Sequence, residues 1–126
     1  MEKGIPSNIY KEHIIELYKS PSNLGNLKDA THEKTAHNTV CGDEITVQLL
    51  VKDGVVQDVK FSGSGCVIAI VASSMLTDKI KDMKVKDVLS MKPEEVLSML
   101  KAKLSPARMK CALLALDAAK GALKNA

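Results

Sequence analysis

Three cysteines, Cys41, Cys66 and Cys111, are the residues in this chain whose type is best suited to chemistry. No two of them are separated by the two residues typical of a zinc knuckle or a thioredoxin-like site. In a reducing compartment, an odd number of cysteines favours thiol or metal chemistry over a set of disulfides. A lone cysteine is often a small buried hydrophobe, so inert packing remains an alternative for each of them.

The surroundings of each cysteine favour chemistry. Cys41 lies at a predicted strand entry two residues before Asp43, and on an extended chain a thiolate and a carboxylate at this spacing share one side and could share a metal. Asp43 as a solvated turn residue is the alternative. Cys66 begins a predicted helix, and Cys111 lies in the second turn of another helix, beside the cation Lys110. Helix N-termini and cations favour the thiolate, the form that attacks or binds a metal. All three cysteines lie near element ends, so they could meet at one end of a sheet.

The composition limits the classes of function. The 126 residues, at 13.6 kDa and net charge +3, predict one domain over residues 1–126. Aromatic residues make up only 2%, with Phe61 the one phenylalanine, which excludes a base-stacking surface. The lysines alternate with acidic residues, so we predict no nucleic-acid partner. With no long apolar stretch and no apolar signal at the N-terminus, we predict no membrane span and a cytoplasmic location.

Residue periodicity predicts the elements that must position the cysteines. A helix over Asn8–Lys19 places Tyr10, Ile14, Leu17 and Tyr18 on one face. The turn-rich segment 21–25 leads through a loop into an edge strand that ends near Asn38. Period two from Glu44 predicts a strand whose buried face carries Ile45, Val47, Leu49 and Val51. A hairpin turn at Asp53–Gly54 returns the chain along Val55–Phe61.

Helices follow the strands. We predict a buried helix over 66–75, two short ones over 85–91 and 93–100, and a last one capped by Ser105 with Pro106 in its first turn. The last helix directs Met109, Leu113, Leu116 and Leu123 inward. The fold class is therefore α+β, with a three-stranded antiparallel sheet and helices packed on one face.

Three segments carry a family resemblance: NTVCGD at 38–43, FSGSGCVI at 61–68 with ASSM at 72–75, and RMKC at 108–111. They closely resemble the ligand motifs of the U-type iron–sulfur cluster scaffolds, IscU and SufU, and of the NifU N-terminal domain. The resemblance covers nearly the whole chain. It implies an IscU-like fold and a scaffold, not an enzyme, that receives sulfur from a cysteine desulfurase. A transient 2Fe-2S cluster would form there and pass to acceptor apo-proteins.

The resemblance also implies a site. Cys41, Cys66 and Cys111 would be cluster ligands, and Asp43 the family's aspartate that keeps the cluster labile. Gly42 and Gly65 would let backbone approach the cluster. Because thiolates suit iron and an oxygen ligand is harder, Asp43 would be the weakest of the four ligands, which favours release of the cluster.

The chain also departs from the family pattern. Lys110 stands where IscU-type members have histidine, as in the SufU type, yet the SufU insertion between the second and third cysteines is missing. Lys110 is either a charge beside the cluster or an exposed helix-start lysine. Segment 104–108 keeps only a leucine and one proline of the chaperone-recognition motif, so a chaperone partner stays an open question.

Two alternative functions remain open. In the first, zinc held by the same four residues supports a SufU-like sulfurtransferase that accepts persulfide sulfur, with Cys111 as the first acceptor to test. In the second, zinc only stabilises an interaction domain. We expect the cluster-bound form to be a homodimer, because a second copy would shield an exposed cluster.

Overall fold

A computed structural model of the chain describes residues 7–101 and 103–124, with side chains from residue 12 onward. The described residues form three strands and six helices, in the order α1 Ser7–Lys19, β1 His32–Asn38, β2 Asp43–Lys52, β3 Val55–Ser64, α2 Val67–Ile80, α3 Val85–Leu89, α4 Pro93–Leu100, α5 Pro106–Ala112 and α6 Leu114–Lys124. The α+β class predicted from periodicity is confirmed. None of the described helices has both the length and the apolar character that a membrane span needs.

The strands form one antiparallel sheet in the order β1-β2-β3. Along β2 the side chains of Ile45, Val47 and Leu49 are completely buried, whereas the residues between them are more exposed. This alternation directs every second side chain to one face, where Phe61 and Val59 of β3 lie opposite Val47 and Leu49. The predicted strand face and the hairpin at 53–54 are confirmed.

Helices cover that buried face. Helix α6 packs on β1 and β2, and its alanines let its backbone approach the sheet closely. Helix α2 is apolar on nearly all sides and is correspondingly buried, because α1, α5, α6 and β3 surround it. This layer brings the start of α2 and the end of α5 to the edge where β2 begins.

The loop between α1 and β1 is fastened to β3 and α2. The Asn23 carbonyl accepts from the Phe61 N–H, and the Gly25 N–H donates to the Phe61 carbonyl, each at 2.9 Å. The Ser22 N–H donates to the Ser74 hydroxyl at 2.6 Å. These bonds give partners to N–H and carbonyl groups on the outer edge of β3, and they hold α1 against α2.

The last predicted helix is the main difference from expectation. It consists of α5 and α6, separated at Leu113, whose N–H donates to the Lys110 carbonyl at 3.3 Å in an i→i−3 hydrogen bond that ends α5. The inward placement of Met109 is wrong, since its side chain is 39% exposed. Helix α5 buries Cys111 and Ala112 instead. Cys111 follows Met109 by two positions, and on a helix this changes the direction of the side chain by about 200°.

Smaller differences concern element ends and helix α1. The structure extends β3 to Ser64 and α2 to Ile80, beyond the predicted limits. On α1, Ile14 and Leu17 pack against the core as predicted, but Tyr18 is 44% exposed, so its inward placement is wrong. The side chain of Tyr10 lies outside the described residues.

Candidate metal centre

Cys41 lies in a tight loop between β1 and β2. Asn38 and Asp43 face each other at the base of this loop. The Gly42 N–H donates to the Asn38 carbonyl at 2.8 Å, and Gly42 has φ +74°, a left-handed conformation that glycine adopts without steric cost. The loop leaves the Cys41 thiol exposed, as its polar neighbours predict.

Asp43 begins β2 on its buried face, and only 4% of its surface is exposed. Its Oδ1 accepts a hydrogen bond from the Cys66 N–H at 3.2 Å, whereas its buried Oδ2 has no hydrogen-bond partner among the described residues. A buried carboxylate oxygen without a partner is costly, and a bound cation would remove that cost. The alternative that Asp43 is a solvated turn residue is wrong.

Cys66 is the residue before the first turn of α2, and its side chain is half-buried. Two glycines make this approach possible. A β-carbon on Gly65 would lie 3.1 Å from the Asp43 Cγ, so Gly65 leaves room for that carboxylate. A β-carbon on Gly63, whose φ is +132°, would collide with the Glu44 carbonyl oxygen.

Cys111 on α5 is 1% exposed. Burial raises the pKa of its thiol well above the ordinary range, and the neighbouring side chains of Asp43, Cys41 and Cys66 raise it further. The expectation that nearby cations favour the thiolate is therefore wrong for Cys111, since Lys110 is exposed and burial prevails. Without a metal, burial therefore favours the protonated thiol of Cys111.

The fold brings three of the four predicted ligands into one group. The Sγ atoms of Cys41 and Cys111 and a carboxylate oxygen of Asp43 all lie within 4.8 Å of one another. Two thiolates on one tetrahedral zinc, each about 2.3 Å from the metal, are about 3.8 Å apart. The ligand atoms of this group would therefore need to move only about 1 Å closer together to bind one metal ion. Cys66 lies outside this set, although its thiol is close enough to Cys111 to influence that residue's pKa.

Other polar features lie apart from this group. The His37 imidazole is exposed and faces Glu44, with its Nδ1 3.3 Å from the Glu44 Oε1. A cavity of about 400 Å³ lies at the opposite end of β2, lined by the 53–55 turn and residues 84–86 and 89. No cysteine lines that cavity.

Sequence reasoning missed one residue of the group, Asn38. The sequence places Asn38 only at the end of the edge strand and in the motif at 38–43, yet its side chain is buried and its amide donates to the Cys111 Sγ at 3.4 Å. Its burial could have been found from its position, because Asn38 ends an edge strand and lies on the same face of that strand as Ala36.

Comparison with known proteins shows the family of this chain. The family model described as the NifU-like N terminal domain matches residues 9–125. The chain belongs to this U-type scaffold family. Among curated members, a protein of Thermotoga maritima named iron–sulfur cluster assembly scaffold protein IscU is 37% identical over 93% of this chain and 94% of its own length. The IscU 1 scaffold protein of Archaeoglobus fulgidus is 34% identical, covering 91% of this chain and 74% of the relative.

Solved structures of the U-type family share the fold. A nitrogen-fixing NifU-like protein (N-terminal) from Brucella abortus superposes with a TM-score of 0.76 at 24% identity, covering 94% of each chain. A protein assigned as a SUF-system scaffold of Fervidobacterium islandicum gives the same TM-score and identity, over 94% of this chain and 99% of the other. At these identities the likeness is one of fold alone.

Proposed function

We propose that this chain is a scaffold that assembles an iron–sulfur cluster as its cargo and transfers it to apo-proteins. The observation that carries the proposal is the group of Cys41, Asp43 and Cys111, with ligand atoms within 4.8 Å of one another around a buried, unpartnered carboxylate oxygen. The names of the curated relatives support it, since they are called cluster assembly scaffolds.

The donor set suits a cluster that must leave. Cys41, Cys66 and Cys111 would supply soft thiolates for iron, and Asp43 would supply a harder, weaker oxygen. The Cys41 side of the group is exposed, whereas Asp43 and Cys111 are buried. A cluster held here, most simply a 2Fe-2S cluster, would therefore have one face open to an acceptor protein.

Exposure also suggests how sulfur would arrive from a cysteine desulfurase. Cys41 is the accessible thiol, whereas Cys111 is 1% exposed. The Cys41 thiolate would attack the outer sulfur of the donor's persulfide, forming a new S–S bond while the donor's cysteine leaves as a thiolate. Among the thiols of the group, we therefore favour Cys41 over Cys111 as first acceptor.

Cys66 would join the ligands by a local movement. Its thiol is already near Cys111, and Cys66 stands where a glycine-containing segment meets α2. Gly42 and Gly65 would serve the same site by allowing the Cys41 loop and the Asp43 carboxylate to approach the cluster. A second copy of the chain would shield the open face, and size-exclusion elution of the cluster-bound protein as a monomer would contradict this homodimer.

Replacing Asp43 tests its role as the weakest ligand of the cluster. We expect Asp43→Ala to hold its cluster longer and to transfer it more slowly than wild type, because the labile oxygen ligand is gone. Asp43→Ala removes Oδ2, which has no partner among the described residues, but it also removes the Oδ1 acceptor of the Cys66 N–H, which should cost about 1–3 kcal/mol, so thermal unfolding first verifies that the variant is folded. The assay follows the loss of cluster absorption as a reporter apo-protein is added, with the exposed loop acid Asp29 replaced by alanine as the control. Transfer from Asp43→Ala at the wild-type rate would contradict the role.

Metal analysis tests the function itself. Protein purified without oxygen should contain iron and acid-labile sulfide in equal amounts, with charge-transfer absorption that Cys41→Ser abolishes. The zinc-dependent sulfurtransferase is the second candidate, supported by the same tetrahedral-compatible donors and by Lys110 at the position where IscU-type members have histidine. Stoichiometric zinc, with no cluster after reconstitution with iron and a desulfurase, would favour that candidate.

A further inference from the structure

The side chain of Asn38 has a fixed orientation beside the candidate metal centre. Asn38 ends β1 directly opposite Asp43 and is 7% exposed. Its Oδ1 accepts a hydrogen bond from the Val40 N–H at 3.2 Å, so the amide oxygen must face the loop. The NH₂ group is consequently turned toward Cys111, whose Sγ accepts at 3.4 Å.

This donor differs from the other neighbours of the Cys111 sulfur. Cys41, Cys66 and Asp43 surround that sulfur, and as metal ligands they would carry negative charge and have no hydrogen left to donate. The Asn38 amide is neutral and keeps its N–H in every state of the site. It can therefore stay on the sulfur when the thiol becomes a bound thiolate.

We propose that Asn38 is a positioning residue that holds the Cys111 thiolate toward the bound metal and withdraws electron density from its sulfur. The proposal rests on the proposed function, since it requires Cys111 to be a ligand. Hydrogen bonds to ligand sulfurs raise the reduction potential of a cluster, and outer partners of ligands commonly change metal affinity by roughly 10- to 100-fold. Asn38 thereby favours the reduced cluster and orients the least accessible ligand.

Two substitutions separate this role from simple packing. Asn38→Leu keeps the branched shape but removes both hydrogen bonds. Asn38→Asp keeps an acceptor for the Val40 N–H and replaces the donor to sulfur by an acceptor. Thr35→Val is the matched control, because it removes the Thr35–Thr46 hydroxyl bond from the same strand on its opposite face.

The probe is Co²⁺ added to metal-free, reduced protein. Wild type should show thiolate-to-Co²⁺ charge-transfer bands that Cys111→Ser weakens. We expect both Asn38 variants to shift these bands to lower energy and to bind Co²⁺ about tenfold more weakly, while Thr35→Val matches wild type. The reconstituted cluster of Asn38→Leu should have a more negative midpoint potential than that of wild type.

The outcomes distinguish the two proposals. If wild type lacks thiolate-to-Co²⁺ bands and forms no cluster, the proposed function fails, and this inference fails with it. If wild type shows the bands and Cys111→Ser weakens them, but folded Asn38→Leu or Asn38→Asp keeps the wild-type band energies and affinity, only the role of Asn38 is overturned. Thermal unfolding verifies that each variant is folded. If Asn38→Leu does not fold, the test of the Asn38 role is carried by Asn38→Asp.

Discussion

The buried thiol of Cys111 should make the stability of the metal-free protein depend on alkaline pH. In the unfolded chain a cysteine ionises near pH 8.5, whereas burial raises the pKa of Cys111 in the fold well above that value. Above about pH 8.5 the folded state therefore binds more protons than the unfolded state. The free energy of unfolding must then fall as pH rises, and the contribution of Cys111 is fully present only below that pH.

The size of the effect follows from one retained proton. Each pH unit between the unfolded and folded pKa values costs about 1.36 kcal/mol of stability. From pH 8.5 to pH 10 the loss is roughly 2 kcal/mol, a large part of the roughly 5–15 kcal/mol that stabilises a typical domain.

The assay compares wild type with Cys111→Ser, which keeps the shape of the side chain but does not ionise in this range. Metal-free protein under reducing conditions is unfolded with urea at several pH values from 7 to 10. The difference in unfolding free energy between the two proteins should change by roughly 2 kcal/mol across the upper part of the range, in favour of Cys111→Ser. The Thr35→Val control should retain the wild-type dependence.

Parallel curves for wild type and Cys111→Ser would refute the reasoning. They would mean that the folded protein releases the Cys111 proton as readily as the unfolded chain does, and so that the site is already hydrated or charged. The metal-free centre would then be open, in contradiction to the buried environment described above.

Two further predictions concern how the centre is held. Gly63→Ala should cost about 3 kcal/mol because its β-carbon would collide with the Glu44 carbonyl oxygen. Gly54→Ala, which is also at positive φ (+75°) but in open space, should cost about 1 kcal/mol. Equal losses in urea unfolding would argue against the collision. Ser74→Ala should cost about 1–3 kcal/mol, because it leaves the Ser22 N–H and the Ser22 carbonyl without their partner. The control is Ser98→Ala at an exposed position on α4. A loss of stability no larger than that of the control would mean that Ser74 does not hold the loop.

Local patterns in the sequence were sufficient for most of the elements. Period two in β2 depends only on neighbouring residues, and the Asp53–Gly54 turn follows from local backbone preferences. Ser105 caps α5 as expected, since its hydroxyl accepts from the Arg108 N–H at 3.3 Å. The break at Leu113 could not be predicted in this way, because it depends on α5 packing against α2 while α6 packs against the sheet.

For the site, the sequence by itself determined the candidate residues: three cysteines, Asp43 and the motifs around them. Only the tertiary structure decided that Asp43 is buried with no partner for Oδ2 among the described residues, that burial raises the pKa of Cys111 and that Asn38 donates to its sulfur. Asn38 and Cys111 are 73 positions apart in the chain. Their contact depends on how α5, α2 and the sheet pack together, and burial and electrostatics arise from that packing, whereas residue type and periodicity are local properties.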